Sequence, residues 1–222
     1  MPFKDRSDAG RKLARALTRY KGQCPVVLAL PRGGVAVAAE AAAALQAPLD
    51  LILVRKIGVP LQPELAMGAV VDGSTPLIVR NEEIIRLAGI DAADFQAVCD
   101  RERAEIERRH RRYLGDRGRV DVAGRTAIVI DDGIATGATT RAALRATHQR
   151  HPKTLVLAVP VAPAETLAEM RLEADDVVCL ENLAFGAIGH YYSDFRQVSD
   201  EEVIETLRRF STGHLSSSAA SP

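Results

Sequence analysis

Residues 125–145 read RTAIVIDDGIATGATTRAALR, and this stretch decides how the rest of the chain is interpreted. Its apolar run from Thr126 to Ile130 is rich in β-branched residues, which predicts a strand buried on both faces. Asp131 and Asp132 follow at the carboxyl end of that strand. A short loop of small residues comes next, and Ala138 to Arg150 has a composition typical of helix. The predicted order is strand, acidic pair, small-residue loop and helix.

This order suits a ligand that carries both a phosphate and a vicinal diol. In an open parallel sheet, ligands bind outside the carboxyl ends of the strands. Free N–H groups at a helix start favour phosphate. Two carboxylates accept hydrogen bonds from a diol, at about 1.5–3 kcal/mol each. Both can serve one ligand only if the strand pleat ends near Asp132. The alternative interpretation is an acidic strand end before an ordinary capped helix.

In this context, DDGIATGATT resembles the phosphoribosyl pyrophosphate (PRPP) loop of the type I phosphoribosyltransferases. The resemblance implies that Asp131 and Asp132 are catalytic residues that contact the ribose hydroxyls and hold Mg²⁺ directly or through water. It also implies that the following loop and helix start bind the ribose 5-phosphate, through Gly133, Ala135, Thr136, Gly137, Ala138, Thr139 and Thr140.

A second glycine loop follows the strand predicted at Pro25 to Leu30, and contains Arg32, Gly33 and Gly34. Adjacent glycines at a strand-to-helix turn let backbone amides face an anion. The resemblance implies that this loop binds pyrophosphate. A tight turn with a solvent-facing arginine is the alternative.

Arg55 and Lys56 follow another apolar run, Leu49 to Val54, which predicts a strand. Two cations at the carboxyl end of a parallel strand would neutralise a pyrophosphate and support its departure. The family commonly has a basic residue or pair at this place, and the resemblance makes Lys56 the third catalytic candidate. We expect Arg32 to converge with this pair. An ordinary surface basic pair is the alternative.

Alternating strands and helices predict an α/β fold with one parallel sheet and helices on both faces. With the resemblance, this is a Rossmann-like type I phosphoribosyltransferase core. We expect one domain over residues 1–210 with a small hairpin and helical insertion at about 61–120, and a disordered tail over residues 211–222. Ser7 or Asp8 can cap the first helix, Asn81 caps a short helix and Asp91 starts a longer one. The basic residues of the first helix and the arginines of the helix starting at Asp91 are interpreted as solvated, so nucleic-acid binding is not expected.

Aromatic residues concentrate in residues 181–195, ENLAFGAIGHYYSDF. They could stack on a flat acceptor base, which makes Phe185, His190, Tyr191 and Tyr192 candidates for the acceptor pocket. The segment could equally be a hydrophobic lid over the last helix. Both alternatives stay open at this stage.

The resemblance implies transfer of the phosphoribosyl group from PRPP to a nitrogenous acceptor with release of pyrophosphate and help from Mg²⁺. Members that use 6-oxopurines usually carry an aspartate where this chain has Ala135, so a 6-oxopurine acceptor is not expected. A PRPP or nucleotide sensor without turnover is the alternative. A homodimer is expected from the family alone.

Composition sets the remaining expectations. The formal net charge is zero with 26% charged residues, and no apolar run approaches the ~20 residues of a membrane helix. The three cysteines are far apart and fit a reducing compartment better than a disulfide framework. We therefore expect a cytoplasmic protein that contacts no membrane.

Overall fold

The computed structural model describes residues 2–73, 76–182 and 187–211. It contains a five-stranded parallel sheet in the order β2-β1-β6-β7-β8 and a three-stranded antiparallel sheet in the order β3-β4-β5. The strands are β1 Val26–Ala29, β2 Leu49–Leu51, β3 Val54–Val59, β4 Gln62–Val71, β5 Leu77–Arg80, β6 Thr126–Ile130, β7 Thr154–Ala162 and β8 Asp176–Asn182. The helices are α1 Arg6–Ala16, α2 Gly33–Leu45, α3 Glu82–Leu87, α4 Ala92–Leu114, α5 Ala138–His148, α6 Ala164–Met170 and α7 Asp200–Ser211.

The parallel sheet is covered on both faces, which confirms the predicted fold class. Alternate residues of its central strands enter two different clusters, because successive side chains of a strand point to opposite faces. Val27 and Ile128 pack with α1, α2 and α7, whereas Val26 and Ala127 pack with α5 and α6. All five residues of β6 are buried. The two-sided burial explains why its sequence is a continuous apolar run.

The prediction of one strand over Leu49 to Val54 is wrong. The parallel strand β2 ends at Leu51, and Val54 already pairs with Val71 in the antiparallel sheet. The apolar run is continuous because Ile52 and Leu53, between the two strands, are also buried. Arg55 and Lys56 therefore lie in the hairpin strand β3 and do not end a parallel strand.

The second sheet and helix α4 stand against the carboxyl side of the parallel sheet. A backbone hydrogen bond of 2.9 Å from Asp72 to Leu53 joins the residue after β4 to the segment that connects β2 and β3. Helix α4 is tied to the last helix by a 2.5 Å hydrogen bond from the Tyr113 hydroxyl to Asp200. These contacts position the hairpin beside the loops that follow β1 and β6.

None of the helices within the described ranges is long and apolar enough to cross a membrane. The disordered tail was expected over residues 211–222, of which residues 212–222 lie outside the described residues. The last helix itself continues to Ser211.

Candidate active site

The two predicted ligand loops are in direct contact. Strands β1 and β6 are neighbours in register, with Ala29 opposite Ile130, so their carboxyl ends meet. The amide of Leu30 donates to the carbonyl of Ile130 at 2.9 Å. Residues 31–34 and 131–137 consequently form one cluster at the edge of the sheet where ligands of parallel sheets bind.

The contact between the two loops is so close that it requires glycine at Gly33 and Gly34. A Cβ atom at Gly33 would lie 1.9 Å from Asp132 Oδ2, and one at Gly34 would lie 2.8 Å from the carbonyl oxygen of Ile130. Both distances are below any van der Waals contact. The peptide bond between Pro31 and Arg32 is cis. The glycine pair thus lets the backbone of the first loop reach the acidic pair.

The acidic pair lies outside the strand, because β6 ends at Ile130. This meets the condition under which both carboxylates can face one ligand. Asp131 Oδ1 accepts a hydrogen bond of 2.8 Å from the amide of Asp132. Burial and then the negative charge of Asp132 raise the pKa of Asp131 well above its ordinary value. A cation or a diol at this place would relieve that unfavourable charge.

Arg6 is a site residue that the sequence interpretation missed. Its Nε donates to Asp132 Oδ2 at 2.6 Å, and only 11% of its side chain is exposed. The guanidinium also lies 4.0 Å from the centre of the Phe195 ring. Arg6 precedes Ser7 and Asp8, the expected caps of the first helix, so the prediction of a solvated basic side did not include it. No local signal identifies it, because its partner is 126 residues away.

Tyr192 supports the same aspartate from the other end of the chain. It is buried, and its hydroxyl donates to the carbonyl of Asp132 at 2.6 Å. Burial raises the pKa of Tyr192 above its ordinary value. Its ring stacks on Phe195 at a centroid distance of 4.8 Å. Tyr192 is therefore not available to a base, contrary to its assignment to the acceptor pocket.

The other acceptor candidates have different positions. His190 is exposed, and Tyr191 is half-buried with its hydroxyl donating to the carbonyl of Asn182 at 2.9 Å. Phe185 lies outside the described residues. Tyr192 and Phe195 pack in a cluster with Phe3, Ala9 and Val161, which contains no described residue of the last helix, so the lid does not cover that helix as expected.

The predicted 5-phosphate loop is held by hydrogen bonds to neighbouring elements, and several of its residues are exposed. Thr166 Oγ1 donates to the carbonyl of Ala135 at 2.9 Å, and the amide of Ile134 donates to Val161 at 3.0 Å. Gly137 caps α5 with a φ of +75°, a conformation that favours glycine. Ala135, Thr136 and Ala138 are exposed, and Thr139 is half-buried.

Thr140 differs from its neighbours in this loop. It is only 2% exposed, so its hydroxyl is not available to a phosphate. The first-turn amides of α5, together with Thr136 and Thr139, remain as donors for an anion.

The three cations that were predicted to bind pyrophosphate have different surroundings in the structure. Arg32 lies 3.7 Å from Asp200, and Arg55 donates from Nε to Glu102 at 2.8 Å. Lys56 is exposed, and no ion pair of Lys56 is present among the described residues. It lines a cavity of about 340 Å³ with Thr139 and Arg141, between the hairpin and α5. Lys56 is thus placed beside the 5-phosphate loop.

Arg109 of α4 is a further cation that the sequence interpretation did not single out. It lines a narrow recess with Pro31, Arg55 and Thr139, which brings the first loop, the hairpin and the phosphate loop together. Glu105 accepts a 2.7 Å hydrogen bond from its Nε. The arginine-rich face of α4 therefore contributes to the site and is not wholly solvated.

The acidic pair fits a magnesium ion. Mg²⁺ typically binds one or two carboxylates and keeps waters and substrate phosphates as its other ligands. Asp131 and Asp132 provide these carboxylates, although one oxygen of Asp132 is paired with Arg6. No group of three or more potential ligands from His, Cys, Asp and Glu occurs within the described ranges. The donor set suits an ion that arrives with a polyphosphate substrate.

Comparison with known proteins identifies the family. The phosphoribosyl transferase domain family matches residues 4–196, so the chain belongs to the phosphoribosyltransferase family. Two Mycobacterium tuberculosis proteins that are provisionally named phosphoribosyl transferases, from strains CDC 1551 and H37Rv, are each 47% identical over 208 residues. The aligned region covers 93% of this chain and 46% of each relative, so the chain spans about half their length.

A solved structure has a similar sequence and the same fold. The protein TT1426 from Thermus thermophilus is 41% identical with a TM-score of 0.81, and the match covers 95% of this chain and 99% of that chain. The family match over residues 4–196 confirms the family resemblance inferred from DDGIATGATT.

Proposed function

We propose that this chain transfers the 5-phosphoribosyl group from PRPP to a nitrogenous acceptor and releases pyrophosphate. The observation that carries the proposal is the contact between the two loops. Gly33 and Gly34 stand against Asp132 and Asp131, next to a solvent-facing phosphate loop. Diphosphate, ribose diol and 5-phosphate are the three parts of PRPP, and we assign one of these groups of residues to each part.

The positions of the cationic side chains suggest a role for each of them in the reaction. The transition state separates a cationic ribosyl group from an anionic leaving group, so electrostatic stabilisation should supply most of the rate. Arg32, Lys56 and the backbone of the glycine turn would bind the pyrophosphate. Arg55 would contribute while paired with Glu102, since Arg55 also lines the recess beside the first loop. Lys56 is the best candidate for assisting departure, because no carboxylate of the described chain neutralises it.

Asp131 and Asp132 would position the ribose. Their carboxylates would accept the hydroxyl hydrogen bonds, and both could hold Mg²⁺ directly or through water. The ion would neutralise the charge of the pyrophosphate. Arg6 and Tyr192 fix the side chain and carbonyl of Asp132, which limits the positions that the carboxylate can take.

The acceptor is proposed to be a nitrogen compound other than a 6-oxopurine. Ala135 is exposed and has no side-chain group that could hydrogen-bond to a purine ring nitrogen. Of the four residues proposed for the acceptor pocket, His190 and Tyr191 are the ones whose described positions leave them partly or fully accessible.

A homodimer and a cytoplasmic location complete the proposal. The dimer rests on the family resemblance, and light scattering after size-exclusion chromatography would test it. The location is supported by the three cysteines, Cys24, Cys99 and Cys179, which are all free.

The direct test is an acceptor screen. Pyrophosphate release from PRPP with Mg²⁺ would be measured with purines, pyrimidines and other nitrogen compounds, including hypoxanthine and guanine, and the ribosylated product would be identified by mass spectrometry. We expect release that depends on one acceptor class and not on the 6-oxopurines. PRPP binding without release for any acceptor would favour the sensor alternative.

A further inference from the structure

A second cavity of about 340 Å³ lies between the end of β4 and one side of α4. Val70, Val71 and Ile106 form its apolar wall, and its polar lining includes Arg103, His110, Arg111 and Arg119. It shares no lining residue with the PRPP loops at 31–34 and 131–140. It is therefore a separate place at which a small molecule could bind.

Two nitrogen atoms in this lining have no hydrogen-bond partner in the part of the chain that the structure describes. Arg103 Nε and His110 Nε2 are shielded from solvent and make no hydrogen bond within the residues that the structure describes. The contact of Arg103 with Asp100 is made by Nη1, at 3.4 Å, and leaves Nε unsatisfied. Buried polar groups are normally satisfied, so an orphaned pair at one cavity indicates a missing partner. Arginine Nε is always a donor, which means that the missing partner must offer an acceptor oxygen or nitrogen to Arg103.

The charges around the cavity favour an anionic partner. Asp72 is already satisfied, because its carboxylate accepts from Arg119 at 2.9 Å and from the amide of Leu53 at 3.0 Å. Among the described residues, Arg111 donates only to the carbonyl of Glu107 on its own helix, at 3.5 Å. Glu107 is the other acid of the lining, and it is exposed. Arg103 and Arg111 are thus available to one anionic group.

We propose that this cavity binds the phosphate group of a small molecule such as a nucleoside 5′-monophosphate. Arg103, His110 and Arg111 would hold the phosphate, because charge-assisted hydrogen bonds to an anion are the strongest that these donors make. Val70, Val71 and Ile106 would pack against the organic part. The volume lies within the range of small-molecule sites. Inorganic phosphate would accept the same hydrogen bonds, so the test compares its binding with that of the nucleotides.

Isothermal titration calorimetry would test the site with four nucleoside 5′-monophosphates, those of adenosine, guanosine, cytidine and uridine, with the nucleosides themselves and with inorganic phosphate. The proteins would be wild type, Arg103→Leu/His110→Leu, and Arg108→Ala. Arg108 is on the same helix but does not line the cavity, so it serves as the matched control. PRPP would be titrated in parallel to report on the active site.

We expect a phosphate-bearing probe to bind wild type and the Arg108→Ala control equally, and at least tenfold more weakly to the double variant, whose PRPP binding stays unchanged. Equal binding of inorganic phosphate would identify free phosphate as the ligand. If the double variant does not fold, Arg111→Ala replaces it, since Arg111 is exposed and a loss of at least threefold is expected. Absence of binding to wild type, or equal binding to the cavity variants, would overturn the proposal.

Discussion

Arg6 Nε lies 2.6 Å from Asp132 Oδ2, and this pair joins the first helix to the loop that follows β6. The carbonyl of the same aspartate accepts from Tyr192. Asp132 is therefore held by residues from near both ends of the described chain. The acidic residue that we propose to contact the ribose is thus positioned by contacts that are distant in sequence.

Replacing Arg6 should destabilise the protein. Arg6→Met leaves a largely buried carboxylate beside Asp131 without its counter-charge, and breaking a buried ion pair costs about 3 kcal/mol. Arg11→Met is the control, because Arg11 is 52% exposed on the same helix and its ion pairs are longer. Urea unfolding at pH 7 measures both variants. Equal free energies of unfolding for the two variants would show that the Arg6 pair is not structural.

A methyl group at Gly33 should disable the site. The added Cβ of Gly33→Ala meets Asp132 Oδ2 at 1.9 Å, so the carboxylate or the loop must move. Displacement of this kind should lower kcat/KM for PRPP about 100-fold. Gly118→Ala is the control, since no atom lies within 4 Å of its added Cβ. Steady-state kinetics with the acceptor found in the screen would measure the effect, and wild-type kinetics for Gly33→Ala would contradict the assigned geometry.

Lys56 should affect the chemical step more than binding. Lys56→Gln removes a cation that would stabilise charge on the departing pyrophosphate, and loss of one such group typically lowers kcat by about 10²–10³. Lys56→Arg should recover part of the rate. Lys21→Gln, an exposed substitution outside the PRPP loops, should leave kcat unchanged. A wild-type kcat for Lys56→Gln would remove this residue from the catalytic set.

Glu105 should make stability dependent on pH. The hydrogen bond from Arg108, with one from Arg109, lowers the pKa of Glu105 from 4.5 to about 2. Its ionised form therefore stabilises the fold above pH 4.5, and this contribution is lost as the pH falls towards 2. Because Arg108 is 54% exposed, solvent screening limits the effect to about 1 kcal/mol or less.

The measurement is urea unfolding of wild type and Glu105→Gln between pH 7 and pH 3. The variant should be less stable at pH 7, and the difference should shrink below pH 4.5. Glu83→Gln, at an exposed position in α3, should show no difference at either end of the range. A gap between wild type and Glu105→Gln that stays constant with pH would contradict the lowered pKa.

Elements whose burial or capping is set by residues close in the sequence could be predicted. The bounds of β6 were predicted as observed, since a strand buried on both faces must be apolar throughout. The caps of α3 and α4, Asn81 and Asp91, were also predicted, because a cap is a local hydrogen bond. The first helix begins earlier than expected, with Asp5 as its cap in place of Ser7 or Asp8.

Features that depend on distant partners could not be predicted. Arg6 and Tyr192 join Asp132 only after folding, and neither contact leaves a spacing pattern. The break between β2 and β3 was hidden because the residues that connect the two sheets are themselves buried. Thr140 has the same chemistry as Thr139, and only the packing of α5 shows that it is inaccessible.

The most direct test of the account is calorimetric titration of PRPP with Mg²⁺ into wild type and Asp131→Asn/Asp132→Asn, with thermal unfolding to confirm that both are folded. The asparagines keep the shape of the site and remove its charge. We expect one PRPP per wild-type chain and an affinity at least tenfold lower in the double variant. Absence of PRPP binding to wild type, or equal affinity for the two proteins, would contradict a PRPP site at Asp131 and Asp132.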